Sequence, residues 1–412
     1  MRRSIWNWLF LVSSFGLGFL FLAQVWQETF PEWKKVQAEY YQRLAQVTGD
    51  SSKARTPLKI QQIYLPEFRR TDRCITCHVG VDNPRMADQP QPFRTHPDLG
   101  NPAFLVKHPF NEIGCTICHQ GQGSATTKAH AHGPVPHWEE PLLSKELVVG
   151  TCTTCHQNVE NLKEAAPLVK AMALFKEKGC IGCHTLHSKG MLVGPELAET
   201  WRKGVDQFDF RYVHGEETVT RWVEEHFKNP QAVVPGYPAL GMPESAMPNF
   251  ELSEEEVKLL TALVLSFASE EKDEEHPIPD RFRVAAAPAK PEPAYASKVE
   301  QGRAVFYKYG CVACHGVEGR GGIRNKNMEM AEEVPPLIYV AEGFTREELK
   351  ETIRKGRYPA RSNPQGSAPP LWMPAWEKKI SEEELDALAE YLLSLHPEHQ
   401  NQTAHLTQND KE

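Results

Sequence analysis

The sequence predicts a chain that is mainly α with much coil: an N-terminal transmembrane helix, a coil-rich middle segment, and two similar helical domains. Three observations predict it. Ile5 to Val25 carries no charge and is rich in Leu, Phe and Trp. Residues 59–164 abound in Pro, Gly, Asn and His and lack sustained amphipathic periodicity. Residues 165–270 and 296–396 repeat one ordered set of features. The length of 412 residues suits two or three domains, and 24 % charged with 40 % hydrophobic residues excludes a polytopic membrane protein and a fully disordered chain. A net charge of −8 gives no support for nucleic acid as a partner.

All ten cysteines fall in C-x-x-C pairs, and each pair is followed by histidine. The motifs are Cys74-Cys77-His78, Cys115-Cys118-His119, Cys152-Cys155-His156, Cys180-Cys183-His184 and Cys311-Cys314-His315. C-x-x-C-H is the attachment signature of c-type haem. Two thiols three positions apart reach the two vinyl groups on one porphyrin edge, and the next residue sets an imidazole under the iron. Zinc gives no reason for a histidine after every pair, and a thioredoxin-like redox motif would be single. The sequence therefore predicts five covalently attached haems c, with the five motif histidines as proximal ligands.

The elements follow in order. Residues 1–26 read as a retained anchor: about 20 apolar residues span a bilayer, and Phe21 two positions before Ala23 fits a cleavage site poorly. Arg2 and Arg3 stay in the cytoplasm by the positive-inside rule, which places the rest outside, and Trp6, Trp8 and Trp26 bracket the span. Residues 27–58 hold a helix over Glu32 to Gln46, with Trp33, Val36, Tyr40 and Leu44 on one face, then a linker. Residues 59–164 carry three motifs, 41 and then 37 residues apart, in which haems rather than side chains would form the core. Residues 271–295 begin acidic, turn Pro/Ala-rich and read as a spacer; residues 397–412 read as a frayed tail.

The two repeats align closely. Phe175 and Phe306 each stand five before the first Cys. Pro195 with Leu197, and Pro335 with Leu337, follow the motifs. Helical stretches come next at Val219–Phe227 and Arg346–Ile353, then Met247-Pro248 and Met373-Pro374. Capping boxes, Ser253 with Glu256 and Ser381 with Glu384, open the last helices. This order resembles the class I cytochrome c fold, over about half the chain. The resemblance implies crossing terminal helices, Met247 and Met373 as distal ligands, and the Pro195 and Pro335 carbonyls holding the proximal histidines. The loop after Pro195 and a Pro/Ser-rich insertion at 357–370 depart from it. Met242 is the near rival of Met247.

The first three motifs have no methionine in a comparable place, but histidines abound: His96, His108, His130, His132 and His137. His96, His108, His132 and His137 are the candidate distal ligands, which would give bis-His haems of low potential beside His/Met haems of higher potential. His214, His226, His276, His396, His399 and His405 read as surface residues. The stretch around Lys107 to Gly123 and Pro136 to Leu143 loosely resembles multihaem subunits of bacterial quinol-oxidising complexes. That resemblance implies an electron-transfer role on the periplasmic side of the bacterial cytoplasmic membrane. Integral quinol-oxidising subunits would be partners, and a soluble cytochrome or terminal oxidase or reductase the acceptor. A multihaem reductase or peroxidase is the alternative; it would need one iron with an open position, whereas all five motifs end in His.

Overall fold

A computed structural model describes residues 2–97, 103–135, 138, 140–191, 193–234, 245–268, 277–285, 294–329 and 331–397. They form two compact units: the described parts of Met1–Ser144 and Asp273–Pro279, and the described parts of Lys145–Lys272 and Asp280–Glu412. Helices and coil dominate; among the described residues the sheets are two two-stranded hairpins.

The first unit begins with α1 (Arg2–Thr29). Its segment Ile5–Trp26 is long and apolar enough to cross a membrane, and its side chains, Phe10, Phe15 and Phe19 among them, are exposed. α2 (Glu32–Thr48) ends at Gly49 in the left-handed conformation. It packs on its own unit. Trp33 and Tyr40 are buried, and Tyr40 packs with Met86 and Phe93 from the coil beyond the first motif. Gln37, also fully buried, donates from Nε2 to the Lys59 and Thr76 carbonyls at 2.7 and 2.9 Å and accepts from the Lys59 N–H at 3.1 Å. Hairpin β1 (Ile63–Leu65) and β2 (Arg70–Asp72) follows, antiparallel with Tyr64 opposite Thr71. Four short helices complete the unit: α3 (Ala103–Lys107), α4 (Phe110–Ile113), α5 (Thr116–His119) and α6 (Lys128–His132).

The second unit holds both repeats. The first is built from α7 (Ala166–Lys178), hairpin β3 (Thr185–Leu186) and β4 (Lys189–Gly190), α8 (Val219–Lys228) and α9 (Glu254–Ala268). The second is built from α10 (Lys298–Lys308), α11 (Val312–His315), α12 (Val340–Gly343), α13 (Arg346–Lys355) and α14 (Glu382–Ser394). Each repeat crosses its first helix over its last. In one, Ala171, Leu174, Leu260 and Leu263 share a core, and Phe175 meets Phe267 edge-on at 5.6 Å. In the other, Val305, Phe306, Leu388 and Leu392 share a core, and Phe306 meets Tyr391 at 5.7 Å. Gly302 sits where α10 crosses α14, and a Cβ there would run into the Ala387 carbonyl. Ala171 fills the same position relative to its motif. Both expected capping boxes are present. The Ser253 and Ser381 hydroxyls accept from the Glu256 and Glu384 N–H groups, and each glutamate accepts the serine N–H in return.

The segment 59–164, read as one three-motif block, divides between the units. Its third motif packs onto α9. Gly150 lies against the Ala262 carbonyl, the Thr153 hydroxyl donates to the Ser266 carbonyl at 2.9 Å, and Cys152 and Val159 join the core of the first repeat. The spacer is pinned to the same motif: the Val284 N–H donates to the Cys155 carbonyl at 2.7 Å, and the Gln157 N–H to the Val284 carbonyl at 3.2 Å.

Candidate haem sites

The five motifs share one local geometry. In each, the histidine N–H donates to the carbonyl of the first cysteine at 2.9–3.0 Å, so a single helical turn presents both thiols and the imidazole. All ten cysteines are half-buried and none is in a disulfide. Burial pushes the Cys180 and Cys311 thiols up to about 12, and the Cys77 and Cys152 thiols up to about 11. The motifs also stand in touching pairs. The Cys74 and Cys115 side chains contact one another in the first unit, as do the Cys183 and Cys314 side chains in the second.

In the second unit, His184 donates from Nδ1 to the Pro195 carbonyl at 2.9 Å, and His315 to the Pro335 carbonyl at 3.4 Å. The two prolines thus hold the rings as the resemblance implied, with Nε2 left for iron. Burial pushes both imidazoles below their usual range and so keeps them neutral, the form that ligates a metal. The motifs of the two repeats meet at glycines. Gly310 takes φ +70°, and a Cβ on it or on Gly182 would run into the other's backbone. Met373 is held by backbone pairing with Arg357, at 2.8 and 2.9 Å, and packs against the core of the second repeat. The buried Asn325 clamps Leu371, two residues before it, through bonds of 2.9 and 3.0 Å. Met247 is half-buried in the extended segment before α9, and its carbonyl accepts from Gln231 Nε2 at 2.6 Å.

His226 corrects the reading of it as a surface residue. Its Nδ1 donates to the Val233 carbonyl at 2.5 Å, and its ring stacks on Trp222 at 4.9 Å and 11°. Burial, with His184 nearby, pushes it down to about 4. The sequence did carry the signal, because Val219, Trp222, Val223 and His226 follow the i, i+3, i+4, i+7 pattern of a buried helix face.

In the first unit, Asp72 organises the two motifs, and sequence reasoning missed it. It is fully buried two residues before Cys74. Its carboxylate accepts from the Thr116 N–H at 3.0 Å, the Thr116 hydroxyl at 2.7 Å and the Cys115 N–H. The Arg73 N–H donates to the Gly123 carbonyl at 2.7 Å, so the strand entering the first motif is stitched to both sides of the second.

The candidate distal histidines separate. His132 faces His78 with ring centroids 6.0 Å apart and planes at 32°. His96 faces His119, also at 6.0 Å, with planes at 74°. His108 stacks on Phe104 at 4.4 Å and bonds its carbonyl through Nδ1 at 2.9 Å. His130 is exposed, with Nδ1 on the Thr127 hydroxyl at 2.8 Å. His137, Met242, Met330, His276, His399, His405 and the acidic run 270–275 lie outside the described residues.

The chain itself bears on whether haem fits these sites. Beyond the proline-held imidazoles, the Trp201 indole N–H is buried with no hydrogen-bond partner among the described residues of the first repeat. A buried indole N–H calls for an acceptor, and the propionate that haem carries is one. The residues present fit the group.

The cytochrome c family model matches residues 168–268 and 299–396. No curated protein and no solved structure matches the chain. The two matched stretches, with their crossed helices and proline-held histidines, are two cytochrome c domains, and that family binds haem c covalently.

Proposed function

We propose that the chain is a membrane-anchored pentahaem cytochrome that conducts electrons on the periplasmic side of a bacterial cytoplasmic membrane. It would serve there as a subunit of a quinol-oxidising complex, passing electrons to a soluble cytochrome or a terminal oxidase or reductase. Haem iron supplies reversible one-electron exchange. The observation that carries the reading is the pairing of motifs: Cys74 touches Cys115, and Cys183 touches Cys314. Groups attached to those cysteines would be close neighbours, and electron tunnelling weakens exponentially with distance.

The chain's residues set the rest. Pro195 and Pro335 fix the ring orientation of His184 and His315 and raise their basicity as ligands. Met247 and Met373 would close the same irons from the other side and raise their potential above that of bis-His sites. The exposed apolar helix Ile5–Trp26 would hold the domains at the membrane, where a quinol-oxidising partner sits. The quinol chemistry itself would belong to that partner. The test is the covalent haem count of the membrane-extracted protein by mass spectrometry, with stopped-flow transfer to a soluble cytochrome. Five haems and transfer faster than enzyme turnover are expected. Fewer haems, or no transfer, contradict the proposal.

A further inference from the structure

We infer that the first two motifs exchange their distal ligands: His132 closes the iron held by His78, and His96 closes the iron held by His119. The inference rests on the haem reading above and names which side chain serves which iron. In both pairs the ring centroids are 6.0 Å apart. A metal with nitrogens about 2 Å away on either side, each about 1 Å from its ring centre, separates two imidazoles by about 6 Å. The spacing thus leaves room for one metal atom between the rings.

The nitrogen bookkeeping agrees. His96 donates from Nδ1 to the Pro97 carbonyl at 2.6 Å, and Gln91 hydrogen-bonds the His78 ring. A ligating histidine commonly donates its other ring N–H in this way. The backbone fixes both visiting residues. The His96 N–H donates to the Val81 carbonyl at 2.8 Å. The His132 carbonyl accepts from the Leu142 N–H at 2.8 Å, and Glu32 accepts from the Lys128 N–H at the start of the same turn at 2.9 Å. The other described candidates are engaged elsewhere: His108 lies on Phe104, and His130 bonds Thr127 in the open.

The crossing makes one cooperative site of two motifs. The coil after the first motif completes the second, and the helix after the second completes the first. The ring planes also differ, 32° against 74°. Near-parallel imidazoles give a rhombic low-spin ferric EPR spectrum, and near-perpendicular ones a strongly anisotropic spectrum with a single large g value. The two irons are therefore distinguishable.

The test is EPR of the full-length ferric protein and its variants, with covalent haem counted by mass spectrometry. His132→Gly should turn one haem high-spin and remove a rhombic signal, whereas His96→Gly should remove the strongly anisotropic one; added imidazole should restore each. His132→Met keeps a ligand and should instead raise the potential of one haem with no loss of attachment. His130→Gly should leave the spectrum unchanged. The pairing is overturned if His132→Gly leaves every haem low-spin, or if it removes the anisotropic signal in place of the rhombic one. Peptides around Cys74 or Cys115 without haem would overturn the haem reading itself, and the pairing with it.

Discussion

The two units solve the same problem, holding C-x-x-C-H turns against one another, by different physics. In the second unit, crossed helices do it with apolar side chains. Phe306, Leu388 and Leu392 are almost entirely buried, and the motifs meet through bare glycine backbone at Gly182 and Gly310. In the first unit Tyr40, Met86 and Phe93 share one apolar cluster, Leu65 and Phe68 are buried as well, and the buried polar groups Gln37 and Asp72 tie segments 40 or so residues apart. A coil-rich segment can be specified by buried polar groups such as Gln37 and Asp72 that find partners. The difference predicts opposite sensitivities.

The sharpest break of the helical mode is Phe306→Ala. It should cost about 4 kcal/mol as the α10–α14 crossing loses its largest fully buried side chain. Amide exchange in α10 and α14 should rise accordingly, with little change around Cys74. The matching break of the polar mode is Asp72→Ala. It strands two buried N–H groups and a hydroxyl and should cost about 3 kcal/mol. Exchange should rise at Cys115 and Thr116 and stay constant in α14. If Asp72→Ala proved harmless, the contrast between the units would fail.

Acid sharpens the comparison. Desolvation raises the Glu384 carboxyl, but bonds from Lys308, Ser381 and Tyr309 outweigh it and hold the group at about 2. Its folded-state pKa lies below the ordinary 4.5, so its contribution is complete above that value and is lost as pH falls towards about 2. A melting profile over this window should fall more steeply for the wild type than for Glu384→Gln, with the effect confined to the second repeat. The smallest effect belongs to the exposed ion pair Lys170–Glu255, 2.6 Å long. Lys170→Ala should change stability by less than about 0.5 kcal/mol, measured by denaturant titration.

What the sequence disclosed follows the same division. Both capping boxes, the phenylalanines five before the motifs and the recurring prolines were legible because each is repeated, while the helix crossings and the prolines' hold on His184 and His315 came from the resemblance to class I cytochrome c. Asp72 and Gln37 were not: a Gln on the face of α2 and an Asp beside a haem motif are polar residues that ordinarily face solvent, and each matters only through a partner far along the chain. The attachment of Cys152 to α9 was hidden for the same reason, since it depends on Thr153 reaching Ser266. His226 was legible on the apolar face of α8 but was read by residue type alone. The pairing proposed for His96 and His132 needed space as well as sequence, because His96 faces His119 and His132 faces His78.

The central claim is that every haem is a closed, six-coordinate electron carrier. A potentiometric titration of the purified full chain, followed by low-temperature EPR, tests it most directly. Only low-spin ferric haems are expected, in a low-potential group and a higher-potential His/Met group. A high-spin haem that binds nitrite, peroxide or carbon monoxide in the intact protein would contradict it and make the chain an enzyme.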